Sequence, residues 1–374
     1  MLFLTKEPAE IYVKLRDRMN SLAFGYGPTN SGVEFALLER FFTPEDAAYV
    51  LEMELDKFFT ADEYAKFSGR ESAEAEKILE DLSMRGLIFR RRRAGEMNSY
   101  RVVPVAHGFL EFNVDNVDRD IKEGKAGWLA DNAAHTGEIW GKQWFGSTEI
   151  PFFRSIPVNS NLVTGSEVLP FDDAVDLIKS KKLFAVSKCL CRIETAAGGG
   201  YDDPRKEVCL AFDDMARFYI DIGIGREFTR QEAIDMIKES IEMGLCLHVA
   251  NSREGEVMCS CAVDRCGLLQ MTKIFGGAAT AHVSHYRINI DRNECAGCGT
   301  CVTRCPTQCC SLDDGRKAVN EADRCIGCGQ CVHSCPKGAR ALVRKSDNEI
   351  IALQDTLFDA YEKMQAIRRE RSEI

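Results

Sequence analysis

The chain carries two copies of one cysteine spacing, Cys295-x2-Cys298-x2-Cys301-x3-Cys305-Pro306 and Cys325-x2-Cys328-x2-Cys331-x3-Cys335-Pro336. Nothing else in it restricts the fold as strongly. The first three cysteines of each run wrap a tight turn around one iron–sulfur cubane. Gly297, Gly299, Gly327 and Gly329 let the backbone close in on the sulfides. All 17 cysteines lie between Cys189 and Cys335. That distribution excludes a uniform disulfide framework and points to metal sites in one half of the molecule.

Both runs resemble the bacterial two-cluster ferredoxin family, over about Tyr286–Arg344. In that family the fourth cysteine, where the chain enters a short helix, serves the other cluster. The resemblance implies one [4Fe–4S] cluster on Cys295, Cys298, Cys301 and Cys335, and a second on Cys325, Cys328, Cys331 and Cys305. Zinc fits the doubled spacing poorly. Two neighbouring cubanes with no open coordination position move electrons singly and do no substrate chemistry. Cys309 and Cys310 read as buried packing thiols.

Upstream, Leu183–Cys191 reads as a strand and Glu207–Gly223 as a helix. Thr229-Arg-Gln-Glu232 is a capping box before the helix Ala233–Met243, and Leu245–Ala250 with Glu256–Cys261 reads as a hairpin. On a strand, residues i and i+2 face one side, so Cys189/Cys191 and Cys259/Cys261 each aim two sulfurs together. Cys209, placed at a helix start, and Cys266 are further contenders, whereas Cys246 and His248 read as core. These residues resemble a large, poorly characterised family of bacterial and archaeal 4Fe–4S binding proteins. The resemblance runs through Arg154–Asn159, Val168–Pro170, Phe184–Val186, Cys189-x-Cys191-Arg192, Cys209-Leu210, Gly223-x-Gly225-Arg226 and Cys259-x-Cys261. It implies an N-terminal winged-helix-like region, a Cys-rich middle and a two-cluster ferredoxin end. Family members often have further cysteines where this chain has Tyr201 and Ala262. A third site is thus narrowed to Cys189, Cys191, Cys209, Cys259, Cys261 and Cys266, holding another iron–sulfur cluster or zinc. The rival is a set of buried thiols or a redox-active dithiol. Gly198–Gly200 is a turn, not a phosphate loop, and no nicotinamide or flavin fingerprint is visible.

The cysteine-free part begins with a helical segment, 1–42, broken by Gly25–Gly32. Thr43-Pro44 opens a helix, Thr60–Phe67 and Glu71–Met84 follow, and Leu87–Phe89 with Tyr100–Val103 read as strands. Ile78, Leu79, Leu82 and Met84 supply the stripe of the long helix. Thr43–Pro104 resembles the winged-helix family. Its groove-facing helix carries Glu71, Glu74, Glu76, Glu80 and Asp81 against Lys77 and Arg85, which disfavours DNA; Arg90–Arg93 in the wing is the one basic patch. Residues 106–182 read as a helical linker anchored by Trp128, Trp140 and Trp144, with the Pro-bearing run Ile150–Pro157. Leu353, Leu357, Tyr361 and Met364 mark a docked terminal helix.

The expected fold is thus α+β and multidomain: a helical segment at 1–42, a winged-helix-like domain at 43–105, a linker at 106–182, a Cys-rich α+β domain at 183–285, a two-cluster ferredoxin domain at 286–346, and a helix at 347–374. No secretory signal or bilayer-spanning stretch is apparent, and the formal net charge is −10, so a cytoplasmic chain with no membrane span is expected. The leading function is single-electron transfer between redox partners, a flavoprotein or an iron–sulfur oxidoreductase of anaerobic metabolism. The alternatives are a redox-responsive DNA-binding regulator and an oxidoreductase subunit with a catalytic third cluster. No catalytic residue is assigned. An electron carrier or oxidoreductase subunit is favoured over a stand-alone enzyme.

Overall fold

A computed structural model of the chain describes residues 9–143, 150–158, 163–164, 173–270, 282–350 and 352–371. The N-terminal part opens with α1 (Glu10–Asn20), α2 (Glu34–Phe41) and α3 (Pro44–Glu52). Thr43 caps α3 in a reciprocal box with Asp46, with Pro44 in the first turn. Then come β1 (Phe59–Thr60), α4 (Ala61–Ser68), α5 (Ser72–Met84) and the hairpin β2 (Phe89–Arg91) and β3 (Ser99–Arg101). The three short strands form a sheet in the order β1-β3-β2. Ala75, Leu79 and Leu82 form the buried face of α5, whereas Met84 is 46% exposed. The stripe therefore begins one turn earlier than the periodicity suggested.

Arg90, Arg92 and Arg93 are each ion-paired, although only Arg90 is buried. Arg90 is buried between Glu80 and Asp221, Arg92 reaches Asp221 at 2.5 Å, and Arg93 reaches Asp214 at 2.7 Å. Phe89 in the same hairpin packs edge-on against Phe218 at 4.8 Å and meets Phe358 at 4.9 Å. The hairpin is thereby anchored to the middle of the molecule.

Past the short α6 (Leu110–Phe112), α7 (Val114–Lys122) and α8 (Gly127–Gln143), the chain enters a seven-stranded sheet. Its strands are β4 (Phe153–Ile156), β6 (Phe184–Lys188), β7 (Glu207–Phe212), β8 (Gly225–Glu227), β9 (Cys246–Ala250), β10 (Val257–Cys261) and β11 (His282–Val283), in the order β11-β4-β9-β10-β7-β6-β8. Pairing is antiparallel except for β11 on β4. Phe153–Ile156, read from sequence within a linker, is an interior strand of this sheet. The flanking Pro151 and Pro157 hide so short a strand from a periodicity reading. Trp128 is an anchor, its indole N–H donating to Asp120 at 3.0 Å. The side chain of Trp140, all of Trp144, Asn159 and 168–170 lie outside the described residues.

Strand alternation divides the sheet into two faces. Val186, Leu210, Phe212, Leu247, Val249 and Met258 pack with α9 (Ala174–Ser180) and α12 (Arg230–Glu242). The opposite face carries Ala185, Ala211, Cys246, Cys259 and Cys261, against the N-terminal part and α11 (Asp213–Asp221). Every cysteine of the sheet strands lies on this second face.

Beyond the sheet, β12 (Tyr286–Ile290) pairs antiparallel with β15 (Arg340–Arg344), which also takes β5 (Val163–Thr164) in parallel. Between them lie a helix at Thr300–Arg304, the hairpin of β13 (Cys310–Leu312) with β14 (Ala318–Asn320), and a helix at Gln330–His333. This unit is tied to the sheet: Gln330 donates to Leu245 O at 2.6 Å, and Val158 N donates to Cys328 O at 3.0 Å. The helix Leu357–Glu370 docks as expected, burying Leu357, Phe358, Tyr361 and Met364. It begins after Leu353, because Thr356 caps it. No helix among the described residues is long and apolar enough to cross a membrane.

Candidate metal centres

Cys295, Cys298, Cys301 and Cys335 line one small pocket; Cys305, Cys325, Cys328 and Cys331 line another. In each, three cysteines come from one run and the fourth from the other. The turns depend on left-handed glycines. Gly297 has φ +65°, and a Cβ there would stand 2.3 Å from Arg316 O. Gly327 has φ +59°, and its Cβ would meet Ser284 Oγ at 2.3 Å. Four sulfurs around one pocket, reached by turns with no space for a Cβ, suit a cubane.

The two sets differ in depth. Cys298 is exposed, whereas Cys328 and Cys331 are buried. Ala318 N donates to Cys295 Sγ at 3.4 Å, and with the Gly297 amide it holds this thiol below its ordinary range. Cys325 is drawn down to about 6, chiefly by the Cys309 thiol. Cys309 and Cys310 are buried, as packing thiols are, yet they also line the second pocket. Cys309 Sγ lies 3.5 Å from Cys305 Sγ, and these three thiols stand close enough to share one metal ion. Their closeness to the second set was invisible in the spacing. Buried Arg340 donates to Cys310 Sγ at 3.3 Å and acts electrostatically on Cys331 and Cys301, placing one cation between the two sets.

The six middle-region cysteines also converge, by a route that corrects two expectations. Cys189 and Cys191 do not share a strand. β6 stops at Lys188, Cys189 is the N-cap position of α10 (Leu190–Ala197), and Cys191 lies in its first turn. Buried Arg192 draws the chain off the sheet by donating to Ser260 O at 3.0 Å and pairing with Asp203 at 3.0 Å. Cys209 sits within β7, not at a helix start, because Val208, Leu210 and Phe212 alternate inward and the helix begins only at Asp213. It receives no helix N-terminus. Cys259 and Cys261 do share a strand face, and Cys259 is the cross-strand partner of Cys209.

All six line a single cavity of about 660 Å³. Their thiols interact in a closed circuit, in the order Cys189, Cys191, Cys266, Cys261, Cys259, Cys209 and back to Cys189. Hydrogen bonds with Cys209 and Cys261 draw Cys259 down to about 7. Part of the cavity wall comes from the cysteine-free half. Burial pushes Glu111 up to about 8 and holds His107 down at about 4, so His107 is neutral at pH 7. Tyr219 Oη and His107 Nε2 lie 2.7 Å apart. Glu194, from α10, is pushed up by burial to about 7. These groups carry no recognisable spacing, so sequence reasoning missed them.

Cys246 is fully buried, as expected of a core residue, and is more than filler. It faces Cys261 across the β9–β10 ladder and interacts with Cys328 of the deeper four-cysteine set. His248 lies opposite Cys259 and stacks on Phe153 at 6.1 Å.

No curated protein and no solved structure matches the chain. Residues 294–340 match the family of 4Fe-4S dicluster domains, which together with the two four-cysteine pockets supports 4Fe–4S binding by this part of the chain.

Proposed function

We propose that the chain is an electron-transfer protein that passes single electrons between redox partners through two [4Fe–4S] clusters. Cys295, Cys298, Cys301 and Cys335 hold one, and Cys325, Cys328, Cys331 and Cys305 hold the other. The observation that carries this reading is the exchange of the fourth cysteine between two separate pockets. When bound, each cluster supplies a one-electron couple with no open coordination position. The protein's own contribution is to set the order of the sites. Exposed Cys298 brings the first toward solvent, where a flavoprotein or iron–sulfur oxidoreductase docks, and the second lies inward beside Cys246. A reducing, cytoplasmic setting keeps such thiols free for metal.

The helix order and the β1-β3-β2 sheet support reading 43–105 as winged-helix-like, with docking rather than DNA binding as its role. The phosphate-binding candidates Arg90, Arg92 and Arg93 are paired with Asp221 and Asp214. A second reading, an oxidoreductase subunit, is favoured by the 660 Å³ cavity, whose wall combines six thiols with Glu111, Glu194 and His107.

The test is an EPR-monitored redox titration of anaerobically prepared chain. Cys298→Ala and Cys335→Ala should abolish the same couple, although they belong to different runs, and Cys305→Ala should abolish the other. A protein with no reversible one-electron couple, or one in which Cys335→Ala and Cys331→Ala abolish the same couple, refutes the reading.

A further inference from the structure

Six thiols around one cavity are more than one metal site needs. A structural zinc ion takes four ligands, and a cubane takes four cysteines. Their closed circuit can be cut within each Cys-x-Cys pair, although Cys189 with Cys191 and Cys261 with Cys259 interact across that cut as well. Each Cys-x-Cys pair straddles it, placing Cys189 and Cys259 beside Cys209, and Cys191 and Cys261 beside Cys266. The result is two three-thiol sets side by side, one built around β7 and one around the turn after β10. Three cysteines for each of two cubane-like halves, joined through shared sulfide, use all six and leave none over.

Three further observations bear on what fills the site. Structural zinc sites close tightly around their ion, whereas these thiols open onto a cavity of about 660 Å³. The cations on the cavity wall are already committed, Lys188 to Asp118 at 2.6 Å and Arg192 to Asp203 at 3.0 Å, with Arg265 also paired to Asp203. Were all six thiols to ionise, several metal ions would be needed to balance their charge. Finally, Cys246 touches both the deeper ferredoxin-type set, at Cys328, and the circuit, as the cross-strand partner of Cys261. That continuity suits a redox centre more than a structural ion.

We infer that Cys189, Cys191, Cys209, Cys259, Cys261 and Cys266 together hold one polynuclear iron–sulfur centre of two sulfide-bridged halves, three thiolates to each. The inference rests on the iron–sulfur reading of the two ferredoxin-type clusters, and the test separates the two. Iron, zinc and acid-labile sulfide are counted on the full chain, reconstituted anaerobically with iron and sulfide. The wild type is compared with six single Cys→Ala variants and with a variant in which all six are Ala. About sixteen iron atoms are expected in the wild type and about eight in the sixfold variant, a twofold loss. Each single variant should fall below the wild type while keeping at least about eight, which also shows that it has folded. About twelve iron atoms, with two single variants at the wild-type level, would mean one cubane and overturn the inference. Two zinc ions per chain in place of the extra iron overturn it as well. About eight iron atoms in wild type and variants alike overturn it while leaving the electron carrier intact. Fewer than about eight in the wild type sinks both.

Discussion

On the two-cluster reading proposed above, removing the buried charge of Arg340 should lower the potentials of both clusters, and unequally. Its side chain is among the most buried of the charged groups, at 4% exposure, and acts on Cys331 and Cys310 ahead of Cys301. Each cluster becomes more negative on reduction, so a nearby cation stabilises the reduced form. At about 7 Å and an effective dielectric constant of about 20, a unit charge contributes roughly 2 kcal/mol. For a one-electron couple that is about 90 mV, since a tenfold change corresponds to about 59 mV. Arg340→Met should therefore shift the couple of the Cys331 cluster down by about 50–90 mV and that of the Cys301 cluster by less. Arg340→Lys keeps the charge but loses the planar fork, so less than half of that shift is expected. The assay is a mediated redox titration followed by EPR, with iron content measured alongside to exclude cluster loss. Unchanged potentials, an upward shift, or a larger shift at the Cys301 cluster in a fully loaded variant would refute the placement of this cation.

Gly327→Ala should abolish loading of the deeper cluster and lower the apparent Tm. It combines a left-handed backbone with a Cβ 2.3 Å from Ser284 Oγ, at a cost of about 2–4 kcal/mol; Gly338→Ala, equally left-handed but in open space, should cost only about 1–2 kcal/mol. Arg90→Ala leaves Asp221 with a buried, weakened pairing and should destabilise the chain by about 3 kcal/mol, whereas truncation of half-exposed Arg93 should cost under about 1 kcal/mol by the same thermal melt. The Glu111 carboxyl, raised to about 8 by burial, binds a proton in the folded state that the unfolded chain releases near its ordinary value. Stability from this group is therefore full at low pH and declines as pH rises through about 8. Glu111→Gln should flatten that decline by on the order of 1–3 kcal/mol between pH 5 and 9, and a steeper decline in the variant would contradict the burial argument.

What could be read from the chain alone follows from how local the cause is. The two Cys-Pro runs are legible because cluster turns are set by residues two or three apart, and their glycines announce the backbone they need. The hairpin with Cys259 and Cys261 is legible through its period-2 alternation. Cys189 and Cys191 were misread because buried Arg192, held by Ser260 and Asp203, bends the chain away from the strand, and nothing within the segment signals that long-range anchor. Cys209 was misread because Glu207–Phe212 runs into Asp213–Asp221 without a Gly or Pro between them. The Glu111 and His107 walls, and the meeting of Cys246 with Cys328, arise from packing between distant segments and leave no spacing to find.

The position of the cysteine-free half ties it to the wall of the thiol-lined cavity. Its hairpin is fixed to α11 through Arg90, Arg92 and Arg93, and α11 supplies Tyr219, which meets His107 on the cavity wall. His107 O in turn accepts from Tyr361 of the C-terminal helix at 3.0 Å, and Arg101 in the hairpin pairs with Glu362 of that helix at 2.7 Å. The hairpin is thus tied to the wall facing the six thiols through two separate routes, one through α11 and one through the last helix. A surface whose arginines are engaged in this way has little charge left for a phosphate backbone. These ties instead hold one side of the thiol-lined cavity in place, and on the proposed reading the exposed region around Cys298 is left for an electron partner.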